Sequence, residues 1–182
     1  MDKNIRCFIA IDFYGEIVQE TARIQEVLGS WKFNGKMSEL ENLHLTLKFL
    51  GEIEEDKLEE VRKSLREVKE KSFEGKLDHA GLFSVLGNPK IVWIKLNGKG
   101  IFDLQKKIDE VLEKNFKKEE RFMGHLTIAR VKYVSDRAGF RKYVENIGVK
   151  EIPFKINSFK LIKSELKPLG PVYSVIEEFK LD

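Results

Sequence analysis

Apolar positions in the first half of the chain alternate between strand-like and helix-like spacing. The run over 5–12 is mostly apolar and of strand length, which indicates a buried strand. Apolar residues then recur three or four positions apart, the spacing of one helix face, up to the stop signal Gly29-Ser30. The predicted elements are a strand over 5–12, a helix over 14–29, a strand over 43–50 ended by Gly51, a helix over 54–71 and a strand over 73–83.

The second half repeats this order of strands and helices. The first half closes with a turn over 87–90 and a strand over 91–96, and the second half is predicted to contain helices over 100–116 and 136–147 and strands over 125–134, 152–163 and 171–180, the last two joined by a turn over 167–171. No linker or low-complexity segment separates the halves. We therefore expect one domain over residues 1–182, built of two related and closely packed halves.

Composition and charge narrow the class of protein. Hydrophobic residues make up 42% of the 182 residues, as in a globular protein. Charged residues make up 35%, above the roughly 25% of an average soluble domain, and their Lys, Arg and Glu bias is typical of thermophile proteins. The formal net charge of +3 is compatible with a nucleic-acid partner without requiring one.

The sequence predicts no membrane span, no signal peptide and no disulfide. The longest apolar runs are far too short to cross a bilayer, and the first residues lack the layout of a signal peptide. Cys7 is the only cysteine, so no internal disulfide can form. A reducing cytoplasm is the expected location.

A repeated four-residue motif carries the candidate chemistry. His44 to Leu47 and His125 to Ile128 both read histidine, apolar, threonine, apolar, in a chain with three histidines. On a strand, residues two apart share a face, so each motif presents an imidazole and a hydroxyl together and anchors itself with its apolar side chains. If the two strands lie side by side, one histidine can act as a general acid and the other as a general base on a phosphodiester.

Strand alternation also predicts which face of its strand each nearby cationic side chain occupies. Lys48 falls on the face of His44 and Thr46 and could balance the phosphate charge. Arg130 follows His125 by an odd number of positions, so it reaches the site only through a bulge or at the strand end. The threonine hydroxyls could donate hydrogen bonds to phosphate oxygens.

Other interpretations of the motifs have less support. A single such motif is more often a strand histidine that satisfies hydrogen bonds, but two matching copies favour catalysis. A zinc site needs three or four ligands at recognised spacing, and neither Cys7 nor His79 provides it. His79 has no matching threonine and is interpreted as structural or surface. No signature of a serine or cysteine nucleophile or of a glycine-rich phosphate loop is found.

With both motifs identified, the chain resembles the two-histidine (2H) phosphoesterases. Within them it is most similar to the LigT-like RNA 2′,3′-cyclic phosphodiesterases, also called 2′-5′ RNA ligases. The resemblance covers nearly the whole chain and rests on four segments: Arg6 to Ile11, Glu41 to Gly51, His125 to Arg130 and Pro168 to Tyr173. One departure is Gly124, where many family members carry proline.

The resemblance implies an α+β fold of two pseudo-symmetric lobes, each an antiparallel sheet flanked by helices, with the active site in the central cleft. It implies hydrolysis of RNA 2′,3′-cyclic phosphate ends to 2′-phosphate ends, with 2′-5′ ligation as the reverse reaction. His44 and His125 would be catalytic. The residues expected to bind substrate are Thr46, Thr127, Arg130, Lys48, Phe8 and Arg6, the last two flanking the terminal base or phosphate.

No cofactor and no metal are expected, and the partner is RNA with a cyclic phosphate end, with tRNA fragments among the candidates. The protein is expected to act as a monomer away from membranes. Two alternatives stay open: a phosphodiesterase for small cyclic nucleotides or nucleotide-sugar cyclic phosphates, and a non-catalytic RNA-binding module. The near-identical motifs do not separate the acid from the base, although His44 is favoured as the acid.

Overall fold

Within the described residues, two antiparallel sheets and four helices make up the α+β fold, in agreement with the expected class. The computed structural model describes residues 4–168 and 170–182. In chain order the elements are β1 (Ile5–Asp12), α1 (Glu16–Gly29), β2 (Asn34–Met37), a short 3₁₀ turn (Leu40–Asn42), β3 (His44–Ile53), α2 (Glu55–Leu65), β4 (Phe73–Val85), β5 (Asn88–Asn97), α3 (Lys99–Val111), β6 (His125–Tyr133), α4 (Arg137–Glu145), β7 (Pro153–Ile156), β8 (Ser158–Lys167) and β9 (Gly170–Lys180).

The two histidine strands belong to different sheets. The four-stranded sheet has the order β3-β1-β8-β9, and the five-stranded sheet has the order β2-β6-β5-β4-β7. β3 and β6 therefore do not pair with each other, although they approach each other between the sheets. The motifs meet across a cleft rather than side by side in one sheet.

The apolar sides of both motifs lie in a shared core. Leu45, Leu47, Leu126 and Ile128 are all buried, as alternation predicted. They belong to one hydrophobic cluster that takes in strands of both sheets and the inner faces of the helices. The buried face of α1, for example, consists of apolar residues at helical spacing with Thr21 and Glu20 between them. Burial of one face of each motif fixes which face is left for the cleft.

The predicted strand over 152–163 is wrong as a single element. β7 ends at Ile156 and pairs with β4, whereas β8 begins at Ser158 and pairs with β1, so the chain changes sheets at Asn157. Alternating side chains give the same sequence pattern in either sheet. Only long-range pairing separates the two strands.

Several predicted boundaries also differ. β3 does not end at Gly51 but runs to Ile53, because Gly51 adopts a positive φ of 76° beside a register shift. The turn predicted over 87–90 lies at Leu86-Gly87, both with positive φ, and β5 already begins at Asn88. The helices α2 and α3 are both shorter than predicted, and β2 was not predicted. No helix in the described ranges is long and apolar enough to span a membrane.

Candidate active site

The two motif histidines open their strands at the same position. His44 is the first residue of β3 and His125 is the first residue of β6, and both line one pocket between the sheets. Thr46 and Thr127 line the same pocket. Neither threonine hydroxyl donates a hydrogen bond to another residue within 4–168 and 170–182. The structure thus brings together all four residues that the repeated motif singled out.

A main-chain carbonyl fixes the orientation of each imidazole. Nδ1 of His44 lies 2.7 Å from the carbonyl oxygen of Asn42, and Nδ1 of His125 lies 2.7 Å from that of Met123. A carbonyl can only accept, so Nδ1 carries the hydrogen in both rings. Nε2 of each neutral ring is left as a proton acceptor, and Nε2–H of each charged ring as a proton donor.

Burial lowers the pKa of both histidines below the ordinary value. For His44 burial has the largest effect; the contact with the Asn42 carbonyl and the charge of Asp12 oppose it, and the charges of Arg130 and His125 add to it. For His125 burial outweighs the contact with the Met123 carbonyl. Both rings are thus poised to be neutral before an anion binds.

Each motif contains a β-bulge at the same position. In the pairing of β1 with β3, Ile9 lies opposite Lys48 and Ala10 opposite Thr46, which leaves Leu47 as an extra residue. In the pairing of β5 with β6, Val92 lies opposite Ala129 and Trp93 opposite Thr127, which leaves Ile128 as an extra residue. Two consecutive side chains therefore face the core in each strand, and alternation is reversed beyond that point.

The bulges reverse the predicted positions of the two cations. Arg130 lines the pocket with His125 and Thr127, through the bulge that the parity argument required. Its guanidinium forms no ion pair or hydrogen bond with any residue in the described ranges. The predicted orientation of Lys48 is wrong: its side chain is buried, binds Asp109 and donates to the carbonyl of Lys117 at 2.6 Å. Lys48 therefore does not face the pocket.

Phe8 and Arg6 lie outside the pocket lining. The Phe8 side chain is 3% exposed and packs behind His44, with ring centroids 4.9 Å apart, so it has no open face for a base; that expectation is wrong. The guanidinium of Arg6 lies 4.7 Å from the ring centroid of Phe49, the residue that occupies the position of Arg130 in the first motif. Arg6 thus stands on the β1–β3 pair and does not line the pocket, although its charge acts on the pocket residue Tyr173.

The family assignment follows from the comparison of the chain with known proteins. A family model described as LigT-like phosphoesterase matches residues 12–93 and 95–173, which hold both motifs. The chain belongs to the LigT-like phosphoesterase family. This confirms the resemblance seen in the motifs.

Two curated relatives match this LigT-like phosphoesterase over nearly its whole length. The RNA 2′,3′-cyclic phosphodiesterase of Methanocaldococcus jannaschii is 37% identical, over 96% of this chain and 100% of its own. The protein of the same name in Thermotoga maritima is 34% identical, over 98% and 96%. The solved structure of TT0787 from Thermus thermophilus has a TM-score of 0.83 at 26% identity over 97% of both chains. E. coli LigT, at 20% identity and a TM-score of 0.77, shares the fold over 98% of both chains.

Sequence reasoning missed several residues of the LigT-like pocket. Lys36 on β2 and Glu39 after it line the pocket, with Lys36 Nζ 2.7 Å from Glu39 Oε1. The hydrogen bond from Lys36 contributes most to lowering the pKa of Glu39. Tyr173 on β9 lines the pocket and meets His44 edge-on, with centroids 5.4 Å apart. The segment before Met37 gives no strand pattern, and Tyr173 stands out only through the family resemblance.

Cys7 and His79, the other candidate metal ligands in the sequence, lie outside the pocket. Within the described ranges no three side chains of His, Cys, Asp or Glu come together as a metal site would require. Cys7 is fully buried, and burial raises its pKa to about 11, so its thiol stays protonated near neutral pH. His79 is exposed on β4, with Nδ1 3.2 Å from Asp78 Oδ2.

Proposed function

We propose that this LigT-like phosphoesterase hydrolyses RNA 2′,3′-cyclic phosphate ends to 2′-phosphate ends by general acid/base catalysis. The observation that carries the proposal is the matched pair His44 and His125, each anchored at Nδ1 and each lining one pocket. The printed names of relatives up to 37% identical support the substrate class. The reverse reaction, in which an RNA 5′-hydroxyl attacks the cyclic phosphate, would form a 2′-5′ bond.

The pocket supplies every group that this reaction needs. One histidine takes a proton from water through Nε2 as the water oxygen bonds to phosphorus. The other gives its Nε2 proton to the ribose O3′ as the P–O3′ bond breaks, which leaves the phosphate on O2′. Thr46 and Thr127 donate hydrogen bonds to the nonbridging oxygens, and the unpaired Arg130 balances their negative charge. No step is assigned to a metal ion.

We assign His44 as the acid and His125 as the base because, among the described residues, a carboxylate acts on the His44 ring alone. Asp12 lies opposite His44 in the pairing of β1 with β3, and its charge opposes the burial that lowers the pKa of His44, although Asp12 also accepts a hydrogen bond from Lys160 at 2.7 Å. At His125 only the contact with the Met123 carbonyl opposes burial. A carboxylate nearby favours the imidazolium form, so His44 is the ring expected to carry the proton.

Incubation with an RNA that ends in a 2′,3′-cyclic phosphate and with the free cyclic mononucleotide tests the proposal. We expect a 2′-phosphate product from the RNA and a fall in turnover of at least about a hundredfold in His44→Ala and in His125→Ala. Circular dichroism and thermal melting control for folding. Full activity in either folded variant would contradict the catalytic role of the histidine that was replaced. Turnover of the mononucleotide alone would favour a small-nucleotide phosphodiesterase, and RNA binding without turnover a non-catalytic module.

Treatment with EDTA tests the absence of a metal requirement. We expect kcat and KM to be unchanged after chelation, because the pocket cations and hydroxyls can stabilise the phosphate charge without a Lewis acid. Loss of activity on chelation, restored by a divalent cation, would contradict this mechanism.

We further propose that the protein acts as a monomer in the cytoplasm on RNA fragments, with tRNA fragments among the candidate substrates. The single buried Cys7 needs no oxidising compartment. Light scattering on the purified protein and fractionation of cells would test the two parts separately.

A further inference from the structure

Three aromatic side chains form a second surface beside His125. Trp93 on β5 lies over Gly81 on β4, where an added Cβ would come within 2.3 Å of the indole ring. Phe83 and His79, also on β4, pack against Trp93 with ring centroids 5.5 and 5.6 Å away. We call Phe83, Trp93 and His79 the aromatic shelf. None of the three lines the pocket that holds the histidine pair.

The shelf directly adjoins the reacting centre. The Phe83 ring meets the His125 ring edge-on, with centroids 5.1 Å apart at 86°. In the five-stranded sheet Phe83 pairs with Ile91, and Ile91 pairs with Arg130, so Phe83 and Arg130 share one row of the cleft-facing side. A substrate held at His125 and Arg130 can therefore continue onto Phe83 without crossing another element.

The outer rings of the shelf are open to solvent. The residue Phe83 is 36% exposed and the His79 side chain 53%, whereas Trp93 beneath them is 8% exposed. The indole Nε1 of Trp93 is buried and has no hydrogen-bond partner among residues 4–168 and 170–182. A buried donor without a partner destabilises the fold, so this N–H group gives the protein no stability. Trp93 therefore contributes to the shelf through the packing of its large flat ring.

Unpaired cations flank the shelf. Lys95 shares the cleft-facing side of β5 with Trp93 and lies opposite His125, and Arg130 lies in the row of Phe83. Neither cation has an ion pair in the part of the chain that the structure describes. The carboxylate of Asp78, beside the shelf, contacts His79 and accepts a hydrogen bond from Asn97 at 2.7 Å. The charge around the shelf thus favours an anionic chain.

We propose that the aromatic shelf stacks a base of single-stranded RNA next to the reacting nucleotide, so that the enzyme holds at least two nucleotides. This rests on the proposed function. Exposed aromatic rings on neighbouring strands, with cations at their edge, are the features by which sheets hold single-stranded RNA, because every base offers a flat face. The phosphate that joins the two nucleotides would lie near Lys95 or Arg130.

The test compares a trinucleotide ending in a 2′,3′-cyclic phosphate with the free cyclic mononucleotide. In Phe83→Leu we expect the ratio of the two kcat/KM values, trinucleotide over mononucleotide, to fall roughly five- to a hundredfold, the range for loss of one stacked base. Phe83→Tyr keeps the ring and should restore the ratio. Phe102→Leu removes a phenylalanine of similar exposure on α3 and should leave the ratio at its original value.

A binding measurement gives a readout apart from turnover. The chain has two tryptophans, so Trp31→Phe leaves Trp93 as the single fluorescent indole. We expect a trinucleotide 3′-phosphate, which is not hydrolysed, to change the emission of Trp93, and we expect Phe83→Leu to weaken this binding.

The possible failures are distinguishable. If the unmodified enzyme turns over neither substrate, the proposed function fails. If it turns over both and the ratio in Phe83→Leu matches that in Phe102→Leu, only the shelf proposal is overturned. Binding of a protein instead of RNA at Phe83 would also overturn it.

Discussion

At the scale of single residues, the ring nitrogen that each histidine presents to the pocket is decided by a carbonyl two positions earlier. The carbonyls of Asn42 and Met123 hold Nδ1–H of His44 and His125 in the same way. Because Nδ1–H is held in place, only Nε2 changes its protonation near neutral pH. The two rings can thus exchange roles in the forward and reverse reactions while keeping one geometry.

The pH dependence of kcat/KM should report these two rings. Burial lowers the pKa of both below the ordinary 6.5, so the free enzyme reaches its singly protonated form only in mild acid. We expect a bell-shaped profile with a maximum below about pH 6.5, whose two pKa values belong to the coupled pair. Stopped assays with the cyclic-phosphate RNA from pH 4 to 9 would measure it. A monotonic profile, or a maximum above pH 7, would contradict general acid/base catalysis by the two histidines.

Arg130 is expected to bind the anionic phosphate, because it lines the pocket and forms no ion pair within the described ranges. Loss of one charge-assisted hydrogen-bonding group typically reduces kcat/KM by about tenfold to a hundredfold, which we expect for Arg130→Gln. Arg130→Lys should recover only part of the loss, since an ammonium lacks the planar fork. Arg137→Gln, on the exposed start of α4, serves as the control. Equal kinetics in Arg130→Gln and Arg137→Gln would contradict this role.

At the scale of elements, a four-residue strand completes the pocket wall. β2 pairs with β6 and places Lys36 opposite Arg130 and Met37 opposite Ala129. The close approach depends on Gly35, where a Cβ would lie 2.3 Å from the carbonyl oxygen of Arg130 and 2.8 Å from the Phe33 ring. β2 thus sets the position of Arg130 from the neighbouring strand.

Replacing Gly35 should disturb both stability and substrate binding. We expect Gly35→Ala to lower the free energy of unfolding by about 1–3 kcal/mol, because the main chain of β6 must move to admit the methyl group. KM should rise as Arg130 shifts. Urea unfolding and steady-state kinetics provide the measurements. Gly148→Ala, where nothing lies within 4 Å of the added Cβ, should change stability by less than about 0.5 kcal/mol. Equal stability of the two variants would refute the steric argument.

At the scale of the whole molecule, a buried ion pair connects the first histidine strand to α3 and to the segment that precedes the second histidine strand. Lys48 lies four residues after His44, and its ammonium binds Asp109 on α3 and the carbonyl of Lys117. Asp109 also accepts from Gln105 and from the main-chain N–H of Glu119, both at 2.8 Å. Burial raises the pKa of Asp109, but these hydrogen bonds outweigh it and leave the pKa below its usual value. The segment so held leads directly to His125.

A double-mutant cycle should reveal this connection. Lys48→Met leaves a buried carboxylate without its cation and is expected to lower the free energy of unfolding by about 3–5 kcal/mol. The double variant Lys48→Met/Asp109→Leu should recover most of that loss. Lys106→Met breaks an exposed pair with Glu110, 3.9 Å apart, and should cost at most about 1 kcal/mol. Urea unfolding at pH 7 gives all values. The single variant Asp109→Leu completes the cycle, and a loss in the double variant equal to the sum of the two single losses would contradict the coupling.

The sequence by itself determined the local structure and the chemistry of the motifs. Alternation of His44, Leu45 and Thr46 places apolar and polar side chains on opposite faces wherever the strand lies, and the second motif repeats this. The family followed from the same residues, since the matched model covers both motifs. The roles of the site residues remain predictions for the experiments above.

The tertiary structure decided what depends on neighbours distant in sequence. The bulges at Leu47 and Ile128 arise from pairing with β1 and β5, and they turned Arg130 toward the pocket and Lys48 into the core. Likewise, the split of 152–163 depends on which sheet each part joins. A sequence pattern records the alternation along one strand, but register and sheet membership are fixed by the partner strands, so side-chain direction beyond a bulge is settled only in the folded chain.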